Sequence, residues 1–493
     1  MSGVVQANSV EEPSNASRPN PDLLSQPLTD SGNGERFVKL HGQDVRYCPE
    51  YKAWFVWDKK RWKRERNGRV HRMAKETARR LYVAALALPD SKKEERKRIE
   101  SHARDSEGVR EIKAMLECAR NEIGISIPAT DFDTDPWLLN CKNGTLDLQK
   151  GELRPHSRDD LITKLCAVRF DENATCPRFA SFLKRIFNGN PDLIAYVGRI
   201  VGCALTGIVR EKALFVCFGG GDNGKTTLLE VVRYVLGDYA GQIMIESLLH
   251  SGNSRQSAAL ADLADLRGKR FVTTSEAEQG SHLAEALVKQ LTGMGQIKTC
   301  RKYENPVEFP PTFKIFMDSN YKPRVRGTDA AIWNRLKLIP FTVTIPKPEI
   351  DKDMLEKLKR EGPGILRWAV EGCLEWQHCG LMEPLDVTES GHEWREESDP
   401  FQGFFEARCE LGPTATCTAT ALWAAAQAYA DTQGFELKQN PFVERLEQLG
   451  CVRSRTNSTR YWRGIKLKGV TPVTGRDAIS YKFLKEALHR FIC

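Results

Sequence analysis

The chain has 493 residues, with 73 Lys and Arg against 65 Asp and Glu, a formal charge of +8, and 41% hydrophobic residues. That length calls for two to four domains rather than one core, and the mild basicity permits a polyanionic partner without proving one. No signal peptide opens the chain and no apolar run approaches the ~20 residues of a membrane span, so no membrane partner and a cytoplasmic location are expected.

The 14 cysteines form no paired C-x-x-C units, and several, such as Cys203 and Cys217, sit in apolar runs, the pattern of reduced intracellular thiols. Cys373, His378 and Cys379 match no common zinc spacing. Residues 1–35 contain no aromatic residue and are rich in Ser, Asn, Pro and Gly, so a disordered leader is expected there. From Arg36 the composition changes. Phe37, Val38, Tyr47, Trp54, Phe55, Val56, Trp57 and Trp62 alternate with polar residues, which predicts short strands in a small β-containing unit. Lys59, Lys60, Arg61, Lys63, Arg64 and Arg66 surround Trp62. Such a pattern suits either a nucleic-acid backbone with one ring free to stack or a hairpin edge protected by charge.

Residues 71–127 read as helical, with the charged stretch Ser91–Arg110 as an exposed helix. Asp131, Asp133 and Asp135 invite a calcium loop, but Pro136 stands where such a loop needs Gly and Lys142 where it needs Glu, so a plain acidic loop is expected. Asn143-Gly144, between Leu138-Leu139 and Leu146–Leu148, predicts a hairpin, and Pro177–Gly207 returns to helical spacing.

Ala213–Phe218 is an unbroken apolar run suited to a buried strand, and it leads into Gly219, Gly220, Gly221, Asp222, Asn223, Gly224, Lys225, Thr226 and Thr227. The spacing Gly219-x-x-x-x-Gly224-Lys225-Thr226 is the P-loop pattern, which by itself predicts a nucleoside triphosphate with Mg²⁺; the motor residues that follow it in the chain make ATP the expected one. In this pattern backbone N–H groups face phosphate oxygens, Lys225 reaches the β- and γ-phosphates, and the Thr226 hydroxyl holds the metal. Leu228, Val231, Val232 and Val235 predict the helix that follows. Arg270–Thr274 is a strand-like run beside the P-loop that ends at Ser275-Glu276-Ala277-Glu278. Glu276, immediately past the strand, is the candidate for polarising the attacking water or holding the Mg²⁺ shell, and Glu278 is the alternative. Ile297–Phe309 reads as a hairpin with Lys298, Arg301 and Lys302 on or near its outgoing strand. Phe313–Met317 is the next strand; past it, the Asn320 amide can bond a γ-phosphate or the lytic water. Arg335, just ahead of the strand Leu336–Phe341, is the candidate to reach a neighbouring subunit's γ-phosphate, with Arg324 and Arg326 as competitors.

Residues 351–380 are helical, and Glu383–Pro400, acidic and rich in turn formers, reads as a linker. Phe401–Glu410, Ala419–Asp431 and Pro441–Leu449 look like three helices, and Cys451–Lys468 alternates like a hairpin with six basic residues and no acid. Helices followed by a basic hairpin suggest a winged-helix domain in which Arg453, Arg455, Arg460 and Arg463 contact duplex DNA. A basic edge hairpin without a ligand is the alternative.

These stretches carry a family resemblance. GGGDNGKTT, SEAEQG, LAEALVKQLTGMGQIKTCRKYENPVEF, FKIFMDSNYKPRVRGTDAAIWNRLKLIPF and the upstream RFVKLHGQDVRYCPEYKAWFVWDKKRW cover about residues 36–345. In order and spacing they resemble the helicase module of the phage and plasmid primase family, akin to the poxvirus-type primase-helicases of superfamily 3. The resemblance implies an AAA+-like α/β motor that assembles as a homo-hexamer around DNA and unwinds it, moving 3′ to 5′, in replication initiation of a phage, plasmid or other mobile element. Its implied partners are single-stranded and duplex DNA, with a separate primase or replication initiator as a further one. It matches Lys225 and Thr226 to the phosphate-binding motif, Glu276 to the acidic motif, Asn320 to the sensor and Arg335 to the finger. The hairpin bearing Lys298, Arg301 and Lys302 is then one that projects into the ring channel and grips phosphates. Two features depart from the family. Asn334-Arg335 offers one arginine where the family often has two, and no primase-polymerase domain precedes Arg36, so primer synthesis is not expected.

The expected architecture is therefore a leader (1–35), an α+β accessory domain (36–190), an AAA+-like P-loop ATPase domain (191–382), a linker (383–400) and a winged-helix-like domain (401–493). A DNA-binding initiator or scaffold, whose ATP binding drives assembly rather than unwinding, is the alternative. A small-molecule phosphotransferase fits the basic hairpins poorly.

Overall fold

Thr29 caps the first helix, α1 (Asp30–His41), by accepting from Gly32 N at 3.1 Å. The structure, a computed structural model, describes residues 22–249, 263–274, 281–299, 307–325, 330–398, 401–433, 437–456 and 459–469. They fall into two units that divide between Phe170 and Asp171, not at residue 190 as expected.

In the first unit α1 buries Arg36, whose guanidinium donates to Leu23 O (2.8 Å), Pro27 O (2.9 Å) and Asn33 Oδ1 (3.1 Å). Residues 22–35, expected in the leader, are thus wrapped around a buried cation, and Phe37 and Val38 lie on a helix rather than a strand. The expected strands follow as an antiparallel meander of β1 (Val45–Cys48), β2 (Ala53–Trp57) and β3 (Trp62–Arg64). Trp62 is fully buried against Trp57, and its Nε1 donates to Arg158 O at 2.8 Å. Its ring is core and is not free to stack on a base. Helices α2 (Arg69–Leu86), α3 (Lys93–Asp105) and α4 (Val109–Ala119) fill the expected helical stretch. The hairpin of β4 (Leu138–Cys141) and β5 (Gly144–Asp147) turns at Lys142-Asn143 and continues to β6 (Glu152–Arg154). In the acidic loop, Asp133 accepts from Thr163 N at 2.7 Å, a contact internal to the unit.

The second unit opens with α5 (Pro177–Ile186) and α6 (Pro191–Cys203) and is built on a five-stranded sheet. Its strands are β7 (Leu214–Phe218), β8 (Ala240–Ile243), β9 (Phe271–Thr274), β12 (Lys314–Ser319) and β13 (Leu336–Pro340); a separate hairpin of β10 (Ile297–Thr299) and β11 (Val307–Phe309) interrupts the chain order. The order is β13-β7-β12-β9-β8 and every pairing is parallel. Both faces are buried, as parallel sheets require. Leu214, Val216, Ile315, Met317 and Leu338 pack on one side, while Phe215, Phe316 and Phe271 stack on the other at 5.0 and 4.4 Å. β12 lies between β9 and the P-loop strand β7. Helix α7 (Lys225–Leu236) follows β7 directly.

The helix Gly362–Cys379 crosses α6 so closely that a Cβ at Gly202 would lie 2.1 Å from Cys373 N, and one at Gly372 2.1 Å from Gly198 O. The segment expected as a linker is instead the helix Leu385–Ser398. Val387 and Trp394, two turns apart, are buried, and Trp394 Nε1 donates to Pro323 O at 3.0 Å. The acidic residues around them mark only the solvent face. The remaining residues form their own core from Phe404, Phe405, Leu422, Phe442 and Trp462. The helix expected to reach Glu410 ends at Arg408, where the Thr-rich Cys409–Thr418 becomes strand β14. β14 pairs with β16 (Arg460–Leu467), which pairs with β15 (Val452–Arg455), all antiparallel, and the helices Ala419–Gln433 and Gln439–Gln448 stand between β14 and β15 in sequence. No helix among the described residues is long and apolar enough to cross a membrane.

Candidate nucleotide site

The loop between β7 and α7 is shaped by its glycines. Gly221 (φ +98°) and Gly224 (φ +84°) are left-handed, the region that favours glycine. Its outer side is open, since a Cβ built on Gly220 or Gly221 meets nothing within 4 Å. Backbone there is approachable by a bulky anion at the start of α7, the end of a helix that attracts negative charge.

Lys225 is only 3% exposed, and its ammonium donates to Gly219 O (2.8 Å), Asn223 Oδ1 (3.1 Å) and Asn320 Oδ1 (2.9 Å), with Asp318 Oδ1 at 3.9 Å. Thr226 Oγ1 donates to Asp318 Oδ2 at 2.6 Å. The register accounts for this meeting: Ser319 pairs with Phe218, so the end of β12 stands level with the start of the loop. The loop is also strapped from the other neighbour, because Ile345 N, past β13, donates to Asp222 O at 2.7 Å. Beneath it Cys217 is fully buried beside Asp318, and burial pushes its thiol far up, leaving an inert filler.

A cavity of about 700 Å³ opens at the carboxyl ends of these strands, a volume within the range of ligand sites. Lys225, Thr226, Asp318, Asn320 and the β9 residues Thr273 and Thr274 line it together with the charged Arg178, Arg185, Glu230, Glu349 and Asp351 and the apolar Phe182, Leu229, Ile350 and Met354. The cationic and hydroxyl groups suit a triphosphate, and the apolar side chains a base. A hydroxyl and a carboxylate side by side at Thr226 and Asp318 also fit Mg²⁺, which takes few protein oxygens and otherwise keeps water and phosphate.

The model described as D5 N terminal like matches residues 34–188, and a family of unknown function, DUF5906, matches residues 217–335. The chain is 31% identical over 301 residues to "Putative helicase L207/L206" of Acanthamoeba polyphaga mimivirus, covering 56% of this chain and 30% of that protein. It is 32% identical over 165 residues to "Putative helicase V13" of Sputnik virophage, covering 33% and 21%. With "Putative primase C962R" of African swine fever virus it shares 27% identity over 214 residues, covering 42% and 22%. Together these matches support assignment to the phage and viral superfamily 3 helicase-primase family. It spans less than a third of the length of these relatives. Among solved structures, the C-terminal region of NrS-1 is similar at a TM-score of 0.46 and 9% identity, covering 88% of this chain and 99% of that one.

Of the site residues expected for a member of this family, Lys225, Thr226 and Asn320 are brought together. Glu276, Glu278, Arg301, Lys302 and Arg326 lie outside the described residues. Arg335 is at the amino ends of the strands, opposite the loop: it precedes β13, whose first residue pairs with the first of β7, and its guanidinium donates to Ala331 O. At about 3.3 Å per strand residue, a strand length of roughly 13 Å separates it from its own loop. Arg324 is exposed and its backbone N bonds Ser281 O. Lys298 is on the expected hairpin, where it pairs with Glu308 across the strands at 2.8 Å. Arg453, Arg455 and Arg460 share one face of the C-terminal hairpin, whereas Arg463 opposes Val452 on the other, so the four do not form one surface. Asp318 was not singled out from the sequence, although it is two residues before Asn320 in the same motif; Asn223, expected among the nucleotide-binding residues of the loop, is 3% exposed and its Oδ1 accepts from Lys225.

Proposed function

We propose that the protein is an ATP-dependent DNA helicase of the replication machinery of a phage, plasmid, virus or other mobile element, working with Mg²⁺ as a ring of identical subunits, a hexamer, and moving 3′ to 5′. The observation that carries this reading is the meeting of Lys225, Thr226, Asp318 and Asn320 at the carboxyl ends of two neighbouring parallel strands. In it Lys225 neutralises the β- and γ-phosphates, Thr226 and Asp318 hold the metal, and Asn320, which already bonds Lys225, moves its amide to the γ-phosphate. Mg²⁺ supplies charge neutralisation on the phosphates when bound. Glu276, or Glu278, orients the attacking water. Arg335 serves the γ-phosphate of a neighbouring subunit, a role that suits its distance from its own loop. Lys298, Arg301 and Lys302 grip one strand in the channel, and the C-terminal helices and β14–β16 act as an AAA+ motor's winged-helix-like DNA-binding domain, with a separate primase or initiator as partner. The family and the helicase names of its relatives support the reading.

The test is ATP hydrolysis with and without single-stranded DNA, alongside strand displacement on a forked duplex, for the wild type and Lys225→Ala. DNA-stimulated hydrolysis and displacement, both lost in the variant, are expected. Hydrolysis indifferent to DNA with no displacement would leave the assembly-driving scaffold as the better reading.

A further inference from the structure

The C-terminal hairpin sets two like charges face to face. Arg455 pairs with Arg460 in the β15–β16 register, and Arg453 with Trp462. Arg453 is already engaged, 3.1 Å from the Glu447 carboxylate and 5.4 Å over the Trp462 ring. Arg455 and Arg460 are exposed and have no carboxylate partner among the described residues. Like charges directly opposite on antiparallel strands are destabilising, so the free protein carries an electrostatic penalty that a bound anion would relieve. The same face opens on a groove of about 360 Å³ whose apolar wall includes Trp423, Phe442 and Val443. Trp423 is half-buried, held edge-on to Phe442 with 5.7 Å between ring centroids, and so remains partly accessible from the groove.

We infer that this groove is a binding site for unpaired single-stranded DNA, with a phosphate between Arg455 and Arg460 and a base against Trp423. The combination selects the occupant. A duplex hides its base faces and would use the arginines alone, and an acidic peptide would likewise leave the aromatic wall without a matching flat partner. A single strand supplies both the phosphate and the exposed ring, and base-on-aromatic stacking tolerates any sequence. The occupant, though not the groove, rests on the DNA reading proposed above. The groove is on a different hairpin from β10–β11, the one proposed for the ring channel, so it would hold the strand before entry to that channel or after exit from it.

The test uses the full chain with Lys298, Arg301 and Lys302 changed to alanine, which removes the channel hairpin's contribution, and fluorescein-labelled oligo(dT) at low salt. Anisotropy should show binding that weakens about tenfold or more in Arg455→Ser with Arg460→Ser, and about tenfold in Trp423→Ala, with Trp423→Phe close to the parent. Melting temperature should be unchanged or raised by the arginine changes, which separates lost binding from lost fold. Absent binding by the parent, or oligo(dT) affinity unmoved by the arginine changes, would overturn the site. Blunt duplex weakened as much as oligo(dT) would make it a plain duplex contact, and displacement by poly-glutamate at equal charge would make it an acidic-peptide site; either overturns the single-strand assignment. ATP hydrolysis stimulated by DNA in the otherwise wild-type chain reads out the helicase proposal independently, so the two can fail separately.

Discussion

Thr226 Oγ1 donates to Asp318 Oδ2 at 2.6 Å, joining the first turn of α7 to the end of β12. The carboxylate thereby stands beside the hydroxyl that a P-loop offers to Mg²⁺.

Asp318→Asn keeps the hydrogen-bond acceptor and removes the charge. Nucleotide binding in the presence of Mg²⁺ should weaken about tenfold, binding in EDTA should be unchanged, and hydrolysis should fall on the order of 10²-fold. Titration of a fluorescent ADP analogue with and without Mg²⁺ checks the first two. Equal affinity loss in both conditions would assign Asp318 to positioning Lys225 rather than to the metal.

Trp62 is core, so Trp62→Ala should destabilise the first unit by about 3–5 kcal/mol, with Trp62→Phe milder. Per folded molecule, affinity for single-stranded DNA should not change. Urea melts and anisotropy on the same samples check both, and a selective affinity loss in a stable Trp62→Phe would restore the stacking role.

The crossing of α6 with the helix Gly362–Cys379 leaves no room for side chains at two positions. Gly202→Ala or Gly372→Ala should each cost about 2 kcal/mol or more, because the obstacle is backbone and cannot swing aside. Thermal melts of each variant read this directly.

Lys314 is fully buried, and burial pulls its ammonium down from the ordinary 10.5 to about 8. Its Nζ donates to Thr206 O at 2.7 Å. Between those values the unfolded chain holds a proton that the folded chain has released, so stability attributable to this residue rises with pH across that window. Below it both states are charged and the penalty is constant. Relative to Lys314→Met, the wild type should gain up to about 3 kcal/mol from pH 8 to pH 10 and beyond. Paired urea melts across that range measure the difference, and a flat difference would mean that the lysine stays charged.

Much of the nucleotide site was legible because its signals are local. An apolar run, a glycine loop and a helix dictate one another, so Lys225 and Thr226 could be placed from spacing alone. Asp318 could not, since its partnership with Thr226 depends on which strands are adjacent, and strand order is set by long-range packing. In the first unit, composition misled: residues 22–35 are held by one buried guanidinium, and the basic residues around Trp62 concealed a core tryptophan. The helix Leu385–Ser398 was lost in the same way, with two buried residues outnumbered by acids on its outer face. The C-terminal hairpin was visible from alternation, but the split of its arginines between faces depends on register, which β15 and β16 fix only by pairing.

The position of Arg335 bears on how the protein would behave when dilute. On the proposed reading, a lone chain can hold a nucleotide but keeps Arg335 out of reach of its own loop. Hydrolysis should then rise more steeply than linearly with protein concentration, and free subunits would bind fuel without burning it until they meet their neighbours.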